Sequence, residues 1–168
     1  MAYNYTDKKR MEEAEERCFQ STKRIFEKYF GDKLLRIEKM PNGCHIDARV
    51  SAATNNGDVI CYAIETKTNN KFIDGFTKDI PLHVRKYLYM KDEQRPNERL
   101  IYIHFINNHS QFLVFDLSDL NEWNVKDIHL RNWRVSKENY TTRERAIYED
   151  IPTMFFSLDK VTFSGSTN

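Results

Sequence analysis

Asp47, Glu65 and Lys67 are the side chains whose types and spacing could do chemistry together. Two carboxylates held close repel each other unless a cation lies between them. A divalent ion with oxygen ligands is the cation that such a pair suits best. A lysine beside it would complement an anionic substrate and orient an attacking water.

The elements that must position these groups are legible as a hairpin running from His45 to Asn69. Ile46, Ala48 and Val50 alternate with Asp47, Arg49 and Ser51, and Ile60, Tyr62 and Ile64 alternate with Cys61, Ala63, Glu65 and Lys67. That period of two is the signature of half-buried strands. Asn55-Asn56-Gly57 forms the turn, with Gly57 in the positive-φ position of a three-residue loop. This turn fixes the register: Ala48 stands opposite Ile64, Asp47 opposite Glu65, and His45 opposite Lys67 at the rim of the site. Directly paired side chains share a face with Cβ atoms about 5 Å apart, so one small patch would carry two carboxylates and an ammonium. The bland alternative is a set of solvated strand charges forming cross-strand ion pairs.

Asp47, seventeen intervening residues and then Glu65-Thr66-Lys67 on a second strand resembles the PD-(D/E)xK nuclease superfamily, which includes restriction endonucleases and Holliday-junction resolvases. Ile46 stands where that family usually has proline. The resemblance implies an α/β fold, a restriction-endonuclease-like sandwich whose mixed central β-sheet is flanked by helices. It implies a Mg²⁺-dependent (or Mn²⁺-dependent) endo- or exonuclease, with DNA the favoured substrate. Asp47, Glu65 and the Thr66 backbone carbonyl would hold the ion, and Lys67 would serve the chemistry. Such nucleases often add an acidic residue from the first helix, and Glu15 is the candidate, with Glu12 and Glu16 beside it. A polar residue of the second helix can also lie near the metal, which points to Lys86. The rival expectation is a catalytically inactive module of the same fold that binds nucleic acid or a protein partner. A two-fold dimer would suit double-strand cleavage.

The remaining elements follow from periodicity. Residues 6–30 read as a helix capped by Thr6 or Asp7 and stopped by Gly31, with Met11, Ala14, Cys18, Ile25, Phe26 and Tyr29 on its inner stripe. Glu15 belongs to that stripe. Residues 34–40 form a short strand, with Leu35 and Ile37 on one face, which Pro41-Asn42-Gly43 joins to the hairpin. Ile80 opens a second helix with Val84, Tyr87 and Leu88 inward. Its outer residues His83, Arg85, Lys86 and Tyr89 suit a phosphodiester backbone. Residues 99–106 and 111–117 are strands buried on both faces, with His104 a hydrogen-bonded core residue. Beyond Ser118 the expectations are a short helix to Trp123, a helix over 141–150, an apolar segment from Met154 to Leu158 that closes the far side of the sheet, and a disordered tail 164–168.

Length and composition bound the rest. At 168 residues the chain suits one domain, with a core over about 7–117 and an extension over 118–163. Net charge is +1, so nucleic acid would have to be met by local clustering rather than by bulk charge. Cys18, Cys44 and Cys61 lack the spacing of a zinc site or a disulfide framework. The polar start and the absence of a long apolar run point to a cytoplasmic protein with no membrane association.

Overall fold

The computed structural model describes residues 5–68, 79–106, 109–118, 128–137, 147–157 and 163–166. Among these, the hairpin is the organising element. Strand β2 (Ala48–Ala53) and strand β3 (Val59–Thr68) pair antiparallel with Ala48 opposite Ile64 and Ala53 opposite Val59. Thr54 and Gly57 close the loop through Thr54 N–H to Asp58 carbonyl (2.7 Å) and Gly57 N–H to Thr54 carbonyl (3.1 Å). Gly57 has φ +84°, where a side chain would be strained. The turn therefore sets the register as its residues predict.

Strand β1 (Leu34–Lys39) pairs antiparallel with β2, completing a three-stranded meander. A register shift between Leu34 and Arg36 turns Leu35 out to solvent and packs Leu34 and Ile37 inward, in place of the expected Leu35 and Ile37. Strand β5 (Glu98–Ile106) lies parallel to β3, and β6 (Gln111–Asp116) returns antiparallel to β5. The chain is thus α/β, with a mixed sheet that contains one parallel pair. A parallel neighbour needs a crossover, and helix α2 (Val84–Glu93) lies within it.

Each face of this sheet carries its own core. Ala48, Val50, Ile64, Ile103 and Phe105 pack with Ile25 and Phe26 of helix α1 (Tyr5–Phe30). Ala63, Leu100, Tyr102 and Phe115 pack with Met90 of α2. Even-numbered positions of β3 thus face α1, and odd-numbered ones face α2.

Helix α1 packs its apolar side chains on the sheet along its second half. Thr22, Ile25 and Phe26 are buried, whereas Met11 and Tyr29 of the expected stripe are exposed and Phe30 packs in place of Tyr29. Thr6 and Asp7 lie inside the helix rather than at its cap. Gly31, with φ +52°, ends it as expected.

The segment at Asp79–His83 is a strand, β4, and α2 begins at Val84, not at Ile80. Val84 and Tyr87 of α2 pack inward as expected, but Leu88 is 53 % exposed and Met90 is fully buried in its place. Strands β7 (Ile128–Lys137) and β8 (Ile147–Ser157) join β4 in a separate sheet ordered β4-β8-β7. The part of the expected 141–150 helix that is described is therefore strand. Met154, Phe155 and Phe156 belong to that second sheet rather than closing the first. Strand β9 (Phe163–Ser166) pairs with β6, so the described part of the expected tail is an edge strand. The helix expected up to Trp123 falls almost wholly outside the described residues. No helix among the described residues is long and apolar enough to cross a membrane.

Candidate metal-binding site

The paired ladder of the hairpin ends at Ala48 opposite Ile64, one residue short of Asp47. The Asp47 N–H donates to the carbonyl of Ile64 (2.8 Å), the residue that already faces Ala48. Two residues then oppose one, the arrangement of a bulge, which kinks a strand and redirects a side chain. Ile46 accordingly leaves the face of Ala48 and Val50 and joins the core under α2. Asp47 does not pair directly with Glu65 as expected. Its Oδ2 instead accepts the Thr66 backbone N–H (2.8 Å) and the Thr66 hydroxyl (2.6 Å). The carboxylate stands in for the missing ladder acceptor. A strand residue's N–H and C=O share one edge. The Thr66 carbonyl therefore faces the same side as Asp47.

Glu65 points to the α2 face and is 8 % exposed. Its Oε1 accepts from Lys86 Nζ at 2.9 Å. Its Oε2 is buried with no hydrogen-bond partner among the described residues. Such an orphan oxygen is costly, because burial removes its water and nothing replaces it. Burial, reinforced by the nearby Asp47 charge, pushes the Glu65 carboxyl up to about 8 despite the pull of Lys86 and Lys67. The proton is therefore bound more tightly in the folded chain than in the unfolded one. This contribution to stability is complete below the ordinary value of 4.5 and is lost as the pH rises through about 8. Urea midpoints of the metal-free protein are expected to decline across that window. The decline should be flatter in Glu65→Gln, and an identical slope in the two proteins would show that Glu65 is not the group responsible.

Asp47, Glu65, Thr66 and Lys67 line an open cleft of about 360 Å³ where β2 and β3 part, and Glu15 of α1 lies on its wall. Lys67 is exposed at this cleft, and its charge helps to lower the pKa values of His83 and His104, for both of which burial is the larger cause. His104, lowered to about 4, is a neutral core residue 3.3 Å from the Tyr102 hydroxyl, as its apolar surroundings suggest. Glu15 is exposed and pairs with no cation among the described residues, whereas Glu12 binds Lys8 and Glu16 binds Lys39. Among the described residues no three His, Cys, Asp or Glu side chains converge on one point.

His45 lies away from the expected place opposite Lys67. Its ring stacks on Tyr89 of α2 (4.3 Å between centroids, 22° between planes), and its N–H meets both Glu93 oxygens at 3.0 Å. Arg85 donates to the Tyr89 hydroxyl at 2.7 Å on the exposed side of α2.

Sequence reasoning missed a polar junction on the α1 face. His109 Nδ1 lies 3.1 Å from the Ser21 hydroxyl, and its Nε2 lies 2.9 Å from Thr68, which in turn contacts Cys18. His109 has φ +69° in the β5–β6 turn and stacks on Phe105. Ser21 and Thr22 are buried polar residues three and four after Cys18, and that was the available signal that α1 meets something polar. With both ring nitrogens engaged, the junction ties the turn to α1.

No protein-family model matches the chain, and no curated protein sequence matches it at a significant level.

Proposed function

We propose that the chain is a metal-dependent nuclease that hydrolyses phosphodiester bonds, with DNA the favoured substrate, on a restriction-endonuclease-like fold. The observation that carries this reading is the buried oxygen of Glu65, without a partner among the described residues, beside the Asp47 charge on the wall of an open cleft. A carboxylate held at such a cost to folding is better explained by a ligand than by packing. The order meander, helix, parallel strand supports the finer fold assignment.

Asp47, Glu65 and the Thr66 carbonyl would hold Mg²⁺ or Mn²⁺, with Glu15 available from the cleft wall. Mg²⁺ commonly takes only one or two protein carboxylates and fills the rest of its shell with water and phosphate oxygens, so the donor set fits. Bound there, the ion would supply a more acidic water and a sink for charge on the phosphate. Lys67, exposed at the cleft, faces the incoming phosphate and orients the attacking water. Thr66 holds Asp47 in place through two hydrogen bonds. Arg85, on the exposed side of α2, offers positive charge to the nucleic-acid backbone, while Lys86 is turned toward Glu65 rather than outward as expected.

The sparse donor set also favours a second reading, a module of this fold that binds nucleic acid or protein without cleaving. Incubation with linear, circular and branched DNA, and with RNA, across Mg²⁺, Mn²⁺ and Ca²⁺ separates the two. Metal-dependent cleavage that disappears in Lys67→Ala supports the nuclease. Nucleic-acid binding with no cleavage under any metal supports the module.

A further inference from the structure

We propose that Lys86 is a resident counter-cation that holds Glu65 until a divalent ion displaces it, so that loading the site releases a lysine toward the substrate. This rests on the metal-binding reading above and goes beyond it. Lys86 Nζ sits 2.9 Å from Glu65 Oε1, a direct charge-assisted contact. It satisfies one carboxylate oxygen and leaves Oε2 without a partner among the described residues. The lysine therefore engages one oxygen but does not complete the coordination of the carboxyl group.

The backbone that carries Lys86 is held firmly. Arg49 donates to the Glu93 carbonyl at the end of α2 (2.7 Å), and the Glu93 carboxylate accepts the His45 N–H. Any exchange must then occur in the side chain, whose stem is long and flexible and whose surface is 29 % exposed. A divalent ion on Oε2 and an ammonium on Oε1 would sit on one buried carboxylate and repel each other, so binding of the ion weakens the hold on Lys86. The released ammonium stays tethered to the edge of the site, where it can meet a phosphate once the ion is in place.

Calorimetric titration with Mn²⁺ alone of the wild-type chain and Lys86→Met tests this. Removing the competitor is expected to tighten Mn²⁺ binding about ten-fold. Equal or weaker binding by Lys86→Met, once the protons released on binding are counted from titrations in buffers of different ionisation heat, overturns the proposal while leaving the metal site standing. If neither protein binds Mn²⁺, the metal reading falls and this proposal falls with it. A second measurement needs no variant: acetylation of Lys86 by acetic anhydride, followed by mass spectrometry, should rise when Ca²⁺ is added. Unchanged or reduced labelling of Lys86 in Ca²⁺-bound protein would show that the lysine is not displaced.

Discussion

Glu65→Gln is expected to lower nucleic-acid cleavage by on the order of 10²–10³-fold, the loss typical of removing one preorganised electrostatic group from a reaction site. The same substitution should leave resistance to urea unchanged or raised at pH 8. Glutamine keeps the shape and can still accept from Lys86, but it no longer has to bury a charge beside Asp47. Activity lost with stability kept or gained is what a group retained for function produces. Asp47→Asn should cut cleavage comparably and still fold, because the amide oxygen can accept both Thr66 donors. Wild-type rates in either variant, measured on protein free of contaminating nuclease, would remove the residue from the chemistry. A sharp fall in stability of Glu65→Gln would instead mark the Lys86 pair as structural.

Arg49→Ala is expected to cost about 3–5 kcal/mol, the usual penalty for stripping one partner from a buried ion pair. A domain of this size has only about 5–15 kcal/mol in total, so the variant should be largely unfolded in mild urea. Arg49 and Glu98 side chains are 12 % and 5 % exposed and meet at 2.9 Å. The same guanidinium donates to the Glu93 carbonyl, and the second Glu98 oxygen accepts the Arg95 N–H at 2.8 Å. Arg49 thus joins β2 to the end of α2, the helix that carries Lys86. Arg49→Met combined with Glu98→Leu should recover most of the loss, because no unpaired charge is then buried. A loss below about 1 kcal/mol in Arg49→Ala, the range of exposed pairs, would contradict this role.

What was legible in the sequence is what local chemistry dictates. Gly57 tolerates the backbone that a three-residue loop requires, and strict alternation in the arms left one register, so the pairing of Ala48 with Ile64 could be read directly. The apolar runs around Ile103 and Phe115 likewise had to be buried strands. The bulge at Asp47 could not be seen, because a period of two carries no mark of where a ladder stops. It moved Asp47 from its place opposite Glu65 to the Thr66 amide and sent Ile46 to the other core. Helix faces drifted for a related reason. Leu88 and Met90 of α2 are both apolar, and only the position of the sheet decides which is buried. Lys86 lies at Glu65, where the resemblance pointed, although its polar helix face alone suggested only an exposed residue.

The central claim is that Asp47 and Glu65 grip one divalent cation, and thermal unfolding with and without added Mn²⁺ tests it most directly. Wild-type protein should be stabilised in proportion to the logarithm of Mn²⁺ concentration once the site begins to fill, by about 2.7 kcal/mol at a hundred times the dissociation constant. Asp47→Asn and Glu65→Gln should each lose most of that gain while melting normally without metal. Stabilisation of the same size in all three proteins, or none in the wild type, would contradict the account.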